Sequence, residues 1–554
     1  MSATDKHAAP LLPAPEDGGA AHARLVAGLR DPSRHAGLAG PVELLETHCS
    51  SVLLAGDVAL KLKKPVNLGF LDFSSLQARR FYCYEELRLN RRTAPQLYLD
   101  VVSIGGSADY PLIGAEPTID YAVRMRRFSQ DELLDRVARR GALTLRHVDA
   151  LAADVAQFHA AAAVDPAQSF GSAAQIREAM RANCVELEAV AKSPRERALL
   201  RGLADWLAAE CAELAPQFDA RRCAGLVREC HGDLHLGNIA LIEDRPTPFD
   251  CIEFNAEFRN IDVINDSAFL MMDLIYHGLA PLAFRFINAY LERSGDYAAM
   301  AVLRFYLVQR ALIRAKVARI RSLQAGIAAE QRGSAERSFR MHLLLARRLA
   351  RRGRAALIVM HGLSGSGKSS FAQVLLEALG AVRLRSDVER KRLFGLDAVA
   401  RTGAAPDGGI YSVSAGVRTY ARLAETARSV LAAGYPVVVD AACLQRAPRE
   451  LLCRVAREQG LPFALVSCEA ALPVLRERVA QREQQGTDAS DAGGEVLEQQ
   501  YRSQQPLAAD EMPHVIRVAT AVDGAGADGV AARLARRLGL AISRKKHRPE
   551  PVKK

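Results

Sequence analysis

Gly362-Leu363-Ser364-Gly365-Ser366-Gly367-Lys368-Ser369 follows directly on the apolar run Leu357-Ile358-Val359-Met360 and opens the helix-periodic stretch from Phe371 to Leu379. A strand, a glycine-rich loop and a helix in that order make a phosphate cradle. The glycines let backbone N–H groups turn inward, and the helix offers its positive end. In the spacing G-x-x-x-x-G-K-S, Lys368 is expected to reach the β- and γ-phosphates and the Ser369 hydroxyl to bind Mg2+. Gly362, Ser364, Gly365, Ser366, Gly367 and Ser370 complete the expected nucleotide loop. Working outward, AVRLRSD (381–387), YPVVVDA (435–441) and PFALVSC (462–468) are short apolar runs separated by helical stretches. Strands alternating with helices predict an α/β domain with a parallel sheet over 355–542.

A second phosphate-handling pattern lies upstream: His231-Gly232-Asp233-Leu234-His235-Leu236-Gly237-Asn238, followed by Asp250. Phosphoryl transfer needs a carboxylate near the acceptor hydroxyl and oxygen ligands for the metal on the nucleotide. Asp233 and Asn238 are five residues apart, as are the Asp and Asn of the H-R-D-x-x-x-x-N loop. Between Asn238 and Asp250, the apolar stretch Ile239–Ile242 predicts a strand-turn-strand that returns Asp250 beside Asn238. That pairing suits the oxygen preference of Mg2+. Asp233 is the expected base, and Asn238 and Asp250 the expected metal ligands.

The first half also supplies a lysine. SVLLAGDVALKLKKP (51–65) predicts two strands around the turn Ala55-Gly56-Asp57, and Val58-Ala59-Leu60-Lys61 matches the V-A-I-K strand pattern. Lys61 is the expected phosphate contact. Glu86 or Glu85, from a charged helix predicted over 76–94, is its expected partner. Lys63 and Lys64 compete as a solvated lysine cluster. Glu253 reads equally as a metal ligand or as polar packing, and His231 and His235 as loop-shaping residues. No G-x-G-x-x-G precedes Lys61, and His48-Cys49-Ser50-Ser51 occupies that place.

On these residues, about 40–345 resembles the aminoglycoside phosphotransferase and choline kinase-like family. The resemblance implies an α+β protein-kinase-like fold that lacks the glycine loop. It also implies that Asp266 braces the catalytic loop. The second half resembles the small P-loop kinases (gluconate kinase, polynucleotide 5′-hydroxyl kinase, zeta-toxin and the AAA-type group). There the resemblance implies Asp387 as base and Arg390 as a substrate contact. Asp440, at the end of Val437-Val438-Val439, fits a metal-site position. Arg478 and Arg482 share a helical face and would close over the γ-phosphate as a lid. The order of the two halves resembles bacterial proteins that join an aminoglycoside phosphotransferase-like domain to a P-loop ATP-binding domain.

The expected organisation is a disordered leader (1–22), a kinase-like domain (23–345), a basic linker (346–354), the P-loop domain (355–542) and a basic disordered tail (543–554). Of the net charge of +11, the tail 544–554 contributes +5. The charge therefore reads as a solvated tail and linker before it reads as a nucleic-acid surface. Ten cysteines without a C-x-x-C pair point to reduced thiols in the cytoplasm. No apolar run is long enough for a membrane span. The expected cofactors are ATP (or GTP) and Mg2+, and the expected acceptors are small-molecule hydroxyls. A polynucleotide 5′-hydroxyl kinase and a nucleotide-dependent regulator are the rival readings. Few aromatics speak against a base-stacking platform. Each half carries its own lysine, metal ligands and base, so neither is expected to borrow from the other.

Overall fold

The computed structural model describes residues 17–31, 41–47, 49–69, 71–324, 326–398, 400, 409–485, 493–519 and 524–542. The basic tail 543–554, most of the expected leader, His48 and residues 486–492 lie outside the described residues. Residues 17–22 are not leader: Asp17–Leu29 is a helix whose Leu25, Val26 and Leu29 are buried against the first sheet.

The first sheet holds β1 (Glu43–Glu46), β2 (Ser50–Ala55), β3 (Val58–Lys63), β4 (Tyr98–Gly106), β5 (Pro111–Ile113) and β6 (Thr118–Arg126), in the order β1-β2-β3-β6-β4-β5. Gly56, at φ 57°, makes the tight turn between β2 and β3 that the sequence predicted. The helix Leu76–Asn90 follows, shorter than expected, with Ser75 capping it by accepting from the Ala78 N–H.

A helical lobe completes this domain and carries two small ladders. One pairs β7 (Val227–Glu229) with β10 (Asn260–Asp262); the other pairs β8 (Ile239–Ile242) with β9 (Arg245–Pro248). In the second ladder Ile239 lies opposite Pro248, and the Phe249 N–H donates to the Asn238 carbonyl at 2.9 Å. The expected strand-turn-strand therefore forms and returns the chain to Asn238 one residue before Asp250.

The second sheet is parallel: β11 (Leu357–His361), β12 (Val382–Arg385), β13 (Val437–Asp440), β14 (Phe463–Glu469) and β15 (Val515–Ala519), in the order β12-β13-β11-β14-β15. Its central strands β11, β13 and β14 are near-continuous apolar runs because both faces are covered. Alternation along each strand divides the faces. Ile358, Met360, Val438 and Val466 pack with Phe371, Leu375 and Leu534 on one side. Leu357, Val359, Val437, Val439 and Leu465 belong on the other side to an apolar cluster that continues into the first domain through Tyr297, Leu303 and Leu307. The fold is thus a kinase-like α+β domain followed by a P-loop α/β domain, and the two share a core.

The seam is built around the helix Ala280–Ser294 of the first domain. β12 is the edge of the parallel sheet, and an uncovered edge exposes unpaired backbone groups. Asn288 covers it: its Nδ2 donates to the Ala381 carbonyl at 2.9 Å, and its Oδ1 accepts from the Arg383 N–H at 2.7 Å. Gly380, at φ 63°, packs so closely on Phe284 that a Cβ would fall 2.8 Å from the ring. Arg285 bridges Asp149 of the first domain (2.5 Å) and Glu377 on the helix Lys368–Leu379 (2.8 Å).

Asn288→Ala strips two buried backbone groups of their partner. It should lower the stability of the chain by about 1–3 kcal/mol, read as a lower unfolding midpoint in denaturant.

Candidate functional sites

In the first domain the expected residues converge. Lys61, on β3, donates to Glu86 Oε1 at 2.7 Å and also to Asp250, 189 residues away in sequence. Glu86, not Glu85, is the partner. Glu85 faces the other way and pairs with Arg88 (2.7 Å) and Arg259 (2.8 Å). Asp250 has φ 63°, a left-handed conformation rare outside glycine, and its N–H donates to the Tyr98 hydroxyl at 3.2 Å. That kink lets Asp250 leave the ladder and face Lys61.

Lys63 is not a solvated lysine. It lies two residues after Lys61 on the same face of β3, and its side chain is 0% exposed. It donates to Glu86 Oε2 at 2.8 Å and to Glu253. Glu253 is thereby committed to an ion pair with Lys63. Glu86 bridges both ammonium groups, one on each oxygen, which keeps its carboxylate in a single orientation. Burial pushes the Glu86 pKa up, but Lys61 and Lys63 outweigh it and hold the group at about 2.

The loop 231–238 is braced from below. Asp266 accepts from the N–H groups of His231 (2.9 Å) and Gly232 (3.0 Å), and from His159 Nε2 at 3.1 Å. Asp273 accepts from the Leu236 N–H at 2.9 Å. Gly232, at φ 85°, sits where a Cβ would meet the Phe258 carbonyl at 2.7 Å, so the loop requires glycine there. Asn238 Nδ2 donates to Asp233 Oδ2 at 2.8 Å. His235 Nδ1 accepts from the Gly237 N–H at 3.0 Å, and its Nε2 lies 3.4 Å from Asp233 Oδ2.

Two arginines absent from the sequence-based set come from one face of the helix Met300–Leu323. Arg310 donates to the Gly232 carbonyl at 3.0 Å, and Arg314 Nη1 lies 3.1 Å from His235 Nε2. Burial raises the Asp233 pKa, but His235, Arg314 and His231 more than reverse this and hold it below the ordinary carboxylate range. Asp233 is ionised and oriented at neutral pH. The spacing of Arg310 and Arg314 shows that they share a helix face, but no local signal aims that face at the loop.

In the second domain Gly362, Gly365 and Gly367 have φ of 137°, 79° and 79°. A Cβ at Gly362 would stand 2.5 Å from the Cys468 carbonyl oxygen. Lys368 Nζ donates to the Leu363 carbonyl at 2.7 Å and lies 3.5 Å from Ser366 Oγ, folded back along its own loop. The Ser364 N–H donates to Gln500 Oε1 at 2.9 Å, and Ser370 is exposed on the first helical turn. Ser369 Oγ donates to Asp440 Oδ1 at 3.2 Å. The other oxygen, Asp440 Oδ2, is buried without a hydrogen-bond partner. A hydroxyl beside an unsatisfied buried carboxylate oxygen is the donor set that a hard cation requires.

Asp387 lies half-buried on the first turn of the helix Ser386–Leu393. Arg390 is on the same helix, over the Tyr411 ring (5.2 Å to its centroid), with Nη1 donating to the Ile410 carbonyl at 3.2 Å. Arg390 is itself half-buried, and its neighbours Glu389 and Lys391 are buried. Arg478, on the helix Leu472–Gln485, reaches the Gly365 carbonyl at 3.4 Å, and Arg482 is half-buried one turn on. The helix Leu472–Gln485 therefore packs on the glycine-rich loop.

Residues 357–507 match the family model described as "AAA domain". The uncharacterized protein Rv2004c of Mycobacterium tuberculosis (strain ATCC 25618 / H37Rv) is 30% identical over 450 residues, covering 81% of this chain and 88% of its own length. An uncharacterized protein of Mycobacterium bovis matches with the same figures. Among solved structures, a gluconokinase from Sinorhizobium meliloti 1021 is 25% identical over 34% of this chain and 98% of its own, with TM-score 0.25. A choline/ethanolamine kinase family protein from Mesorhizobium loti is 16% identical over 59% of this chain and 98% of its own, with TM-score 0.35.

Glu86 contributes stability that is fully present above its unfolded pKa near 4.5 and is lost as pH falls toward about 2. Glu86→Gln should flatten that acid limb of a stability–pH profile. It should also lower stability at pH 7, because it leaves Lys61 and Lys63 buried with less negative charge.

Proposed function

The chain belongs to the family of the uncharacterized mycobacterial protein Rv2004c, and we propose that it is a two-site, ATP-dependent phosphotransferase in which each half moves a γ-phosphoryl group to a hydroxyl of a small molecule. The observation that carries this reading is the convergence of Lys61, Glu86 and Asp250 in one cluster from three distant segments. Structural ion pairs do not call for the accompanying braced loop with Asp233 and Asn238.

In the first half, Lys61 turns from Asp250 toward the α- and β-phosphates while Glu86 keeps it oriented. Asn238 and Asp250 hold Mg2+. Asp233, ionised and fixed by Asn238 and His235, accepts the acceptor hydroxyl's proton as the oxygen attacks. Arg314 adds positive charge beside that carboxylate. In the second half the loop 362–369 cradles the phosphates, and Lys368 leaves the Leu363 carbonyl for the β- and γ-phosphates. Ser369 and Asp440 hold the metal. Asp387 takes the proton, with Arg390 contacting the acceptor and Arg478 and Arg482 closing the lid. The metal, when bound, neutralises charge on the transferred group.

Few aromatics (one Trp) speak against a base-stacking platform for a polynucleotide, so small-molecule hydroxyls remain the proposed acceptors of both halves. Among the described residues no helix is long and apolar enough to cross a membrane.

With the full chain and a panel of metabolite hydroxyls, Asp233→Asn and Lys368→Ala should each remove one acceptor-dependent component of ATP turnover, by about 100-fold or more. If neither variant lowers turnover with any acceptor, the chain is not a phosphotransferase.

A further inference from the structure

Along the helix Met300–Leu323 the buried and half-buried basic side chains have partners of their own, save one. Arg304 donates to the Ala433 carbonyl at 2.8 Å. Arg310 donates to Asn265 Oδ1 at 2.8 Å and to the Gly232 carbonyl. Lys316 pairs with Glu186 at 3.0 Å, and Arg319 with Glu196 at 2.9 Å. Arg314 differs. It is half-buried, no carboxylate lies at ion-pair distance from it among the described residues, and its Nε is buried without a hydrogen-bond partner. Its neighbour at bonding distance is His235 Nε2, 3.1 Å from Nη1. The other ring nitrogen of His235 accepts from the Gly237 N–H. A neutral imidazole accepts at one nitrogen and an imidazolium at none, so His235 cannot accept from both. The guanidinium keeps its charge at any ordinary pH, and a part-buried charge without a counterion is costly.

Its position decides which anion it can take. His235 Nε2 stands 3.4 Å from Asp233 Oδ2, so the guanidinium is one imidazole nitrogen away from the proposed base. Arg314 belongs to the helical lobe, not to the lobe of β3 that carries Lys61. Burial lowers the His277 pKa, and the charges acting on that ring are Asp273, Arg139, Asp135 and Arg314, which gathers these groups on one wall beside the loop. The acids of the wall are engaged. Asp273 accepts from the Leu236 N–H. Asp135 Oδ2 pairs with Arg139 at 2.6 Å, Asp131 with Arg136 at 3.2 Å and Glu132 with Arg140 at 3.1 Å. A cationic acceptor would have to displace an arginine from each of these pairs, whereas an oxyanion meets an arginine that holds no carboxylate.

We propose that the first half takes an anionic acceptor, a small molecule that carries a hydroxyl and an oxyanion group (carboxylate or phosphate), and that Arg314 binds the oxyanion while the hydroxyl lies at Asp233. The inference rests on the phosphotransferase reading given above and names the acceptor class of that site. A guanidinium matches carboxylate and phosphate with two parallel N–H···O bonds, so it fixes orientation as well as affinity. The acceptor oxygen bonds to the γ-phosphorus as the bond from that phosphorus to ADP breaks, and the hydroxyl proton passes to Asp233. Arg314 touches the part of the acceptor that does not react, so its effect falls on acceptor choice.

The test uses the full chain in a Lys368→Ala background, where acceptor-dependent ATP turnover reports the first half. Acceptors are offered as matched sets: hydroxy-carboxylates with their methyl esters, sugar phosphates with their parent sugars, and aminocyclitols as the cationic class. With Arg314 in place, kcat/KM should favour the anionic member of at least one pair, and the pair that responds tells a carboxylate from a phosphate. Arg314→Gln should cut that preference roughly ten-fold or more, mostly through KM, and Arg314→Lys should keep part of it. Added salt should weaken the preference as well. The proposal is overturned if neutral or cationic acceptors are preferred. It is also overturned if Arg314→Gln lowers both members of a pair equally, which would make the arginine a charge for the phosphoryl group or a brace for the loop. If no acceptor supports turnover that Asp233→Asn abolishes, the phosphotransferase reading of this half falls, and this inference with it.

Discussion

A parallel sheet has two edges, and the backbone groups along each must find partners. In this chain the β12 edge is closed by Asn288, whose side-chain amide pairs with Ala381 and Arg383 much as a neighbouring strand would. The helix that carries Asn288 also presents Phe284, Arg285 and Glu292 to the second domain. That contact accounts for one apolar cluster running from the kinase-like helices into the P-loop sheet. It also places the two candidate sites on a common scaffold. Covering an edge by a fixed element of another domain makes the docking specific, because the amide matches only one register of the strand.

Both sites obey the same electrostatic rule with different parts. Each encloses a buried lysine, and burial makes an unpaired ammonium costly. In the first site Lys61 and Lys63 are paired with three carboxylates, Glu86, Glu253 and Asp250, in one ion-pair cluster. In the second, burial pushes the Lys368 pKa down, and the lysine leans on the carbonyl of its own loop. A carbonyl is a weaker partner than a carboxylate, so Lys368 is the more readily drawn to a phosphate. On the proposed reading, the first site would exchange one ion pair for another on binding nucleotide, and the second would gain one.

Much of each site was legible in the sequence because its motifs are local. The loop glycines, the spacing of Asp233 and Asn238, the hairpin that returns Asp250 and the strand bearing Lys61 are all set by turn chemistry and apolar alternation over short stretches. The choice of Glu86 over Glu85 was not legible. Adjacent residues on a helix point about a quarter turn apart, and only the docking of the helix on β3 decides which one meets the lysine. Lys63 was misread for a related reason. A Lys-x-Lys-Lys run looks solvated until both neighbouring glutamates are known to lie under the strand. Arg314 and Glu292 sit on ordinary amphipathic helices, and nothing in their local sequence names their targets.

By itself the sequence determined the two folds, their order and the residues able to carry phosphate chemistry, since these follow from periodicity, glycine placement and fixed short spacings. The tertiary structure alone decided which charges pair, which lysine is buried, and that the halves share a core with Glu292 of one paired to Arg383 of the other. The physical reason is range. Backbone propensity and capping act over a few residues, whereas the energy of a buried charge depends on every group within a few ångströms, whatever its distance along the chain.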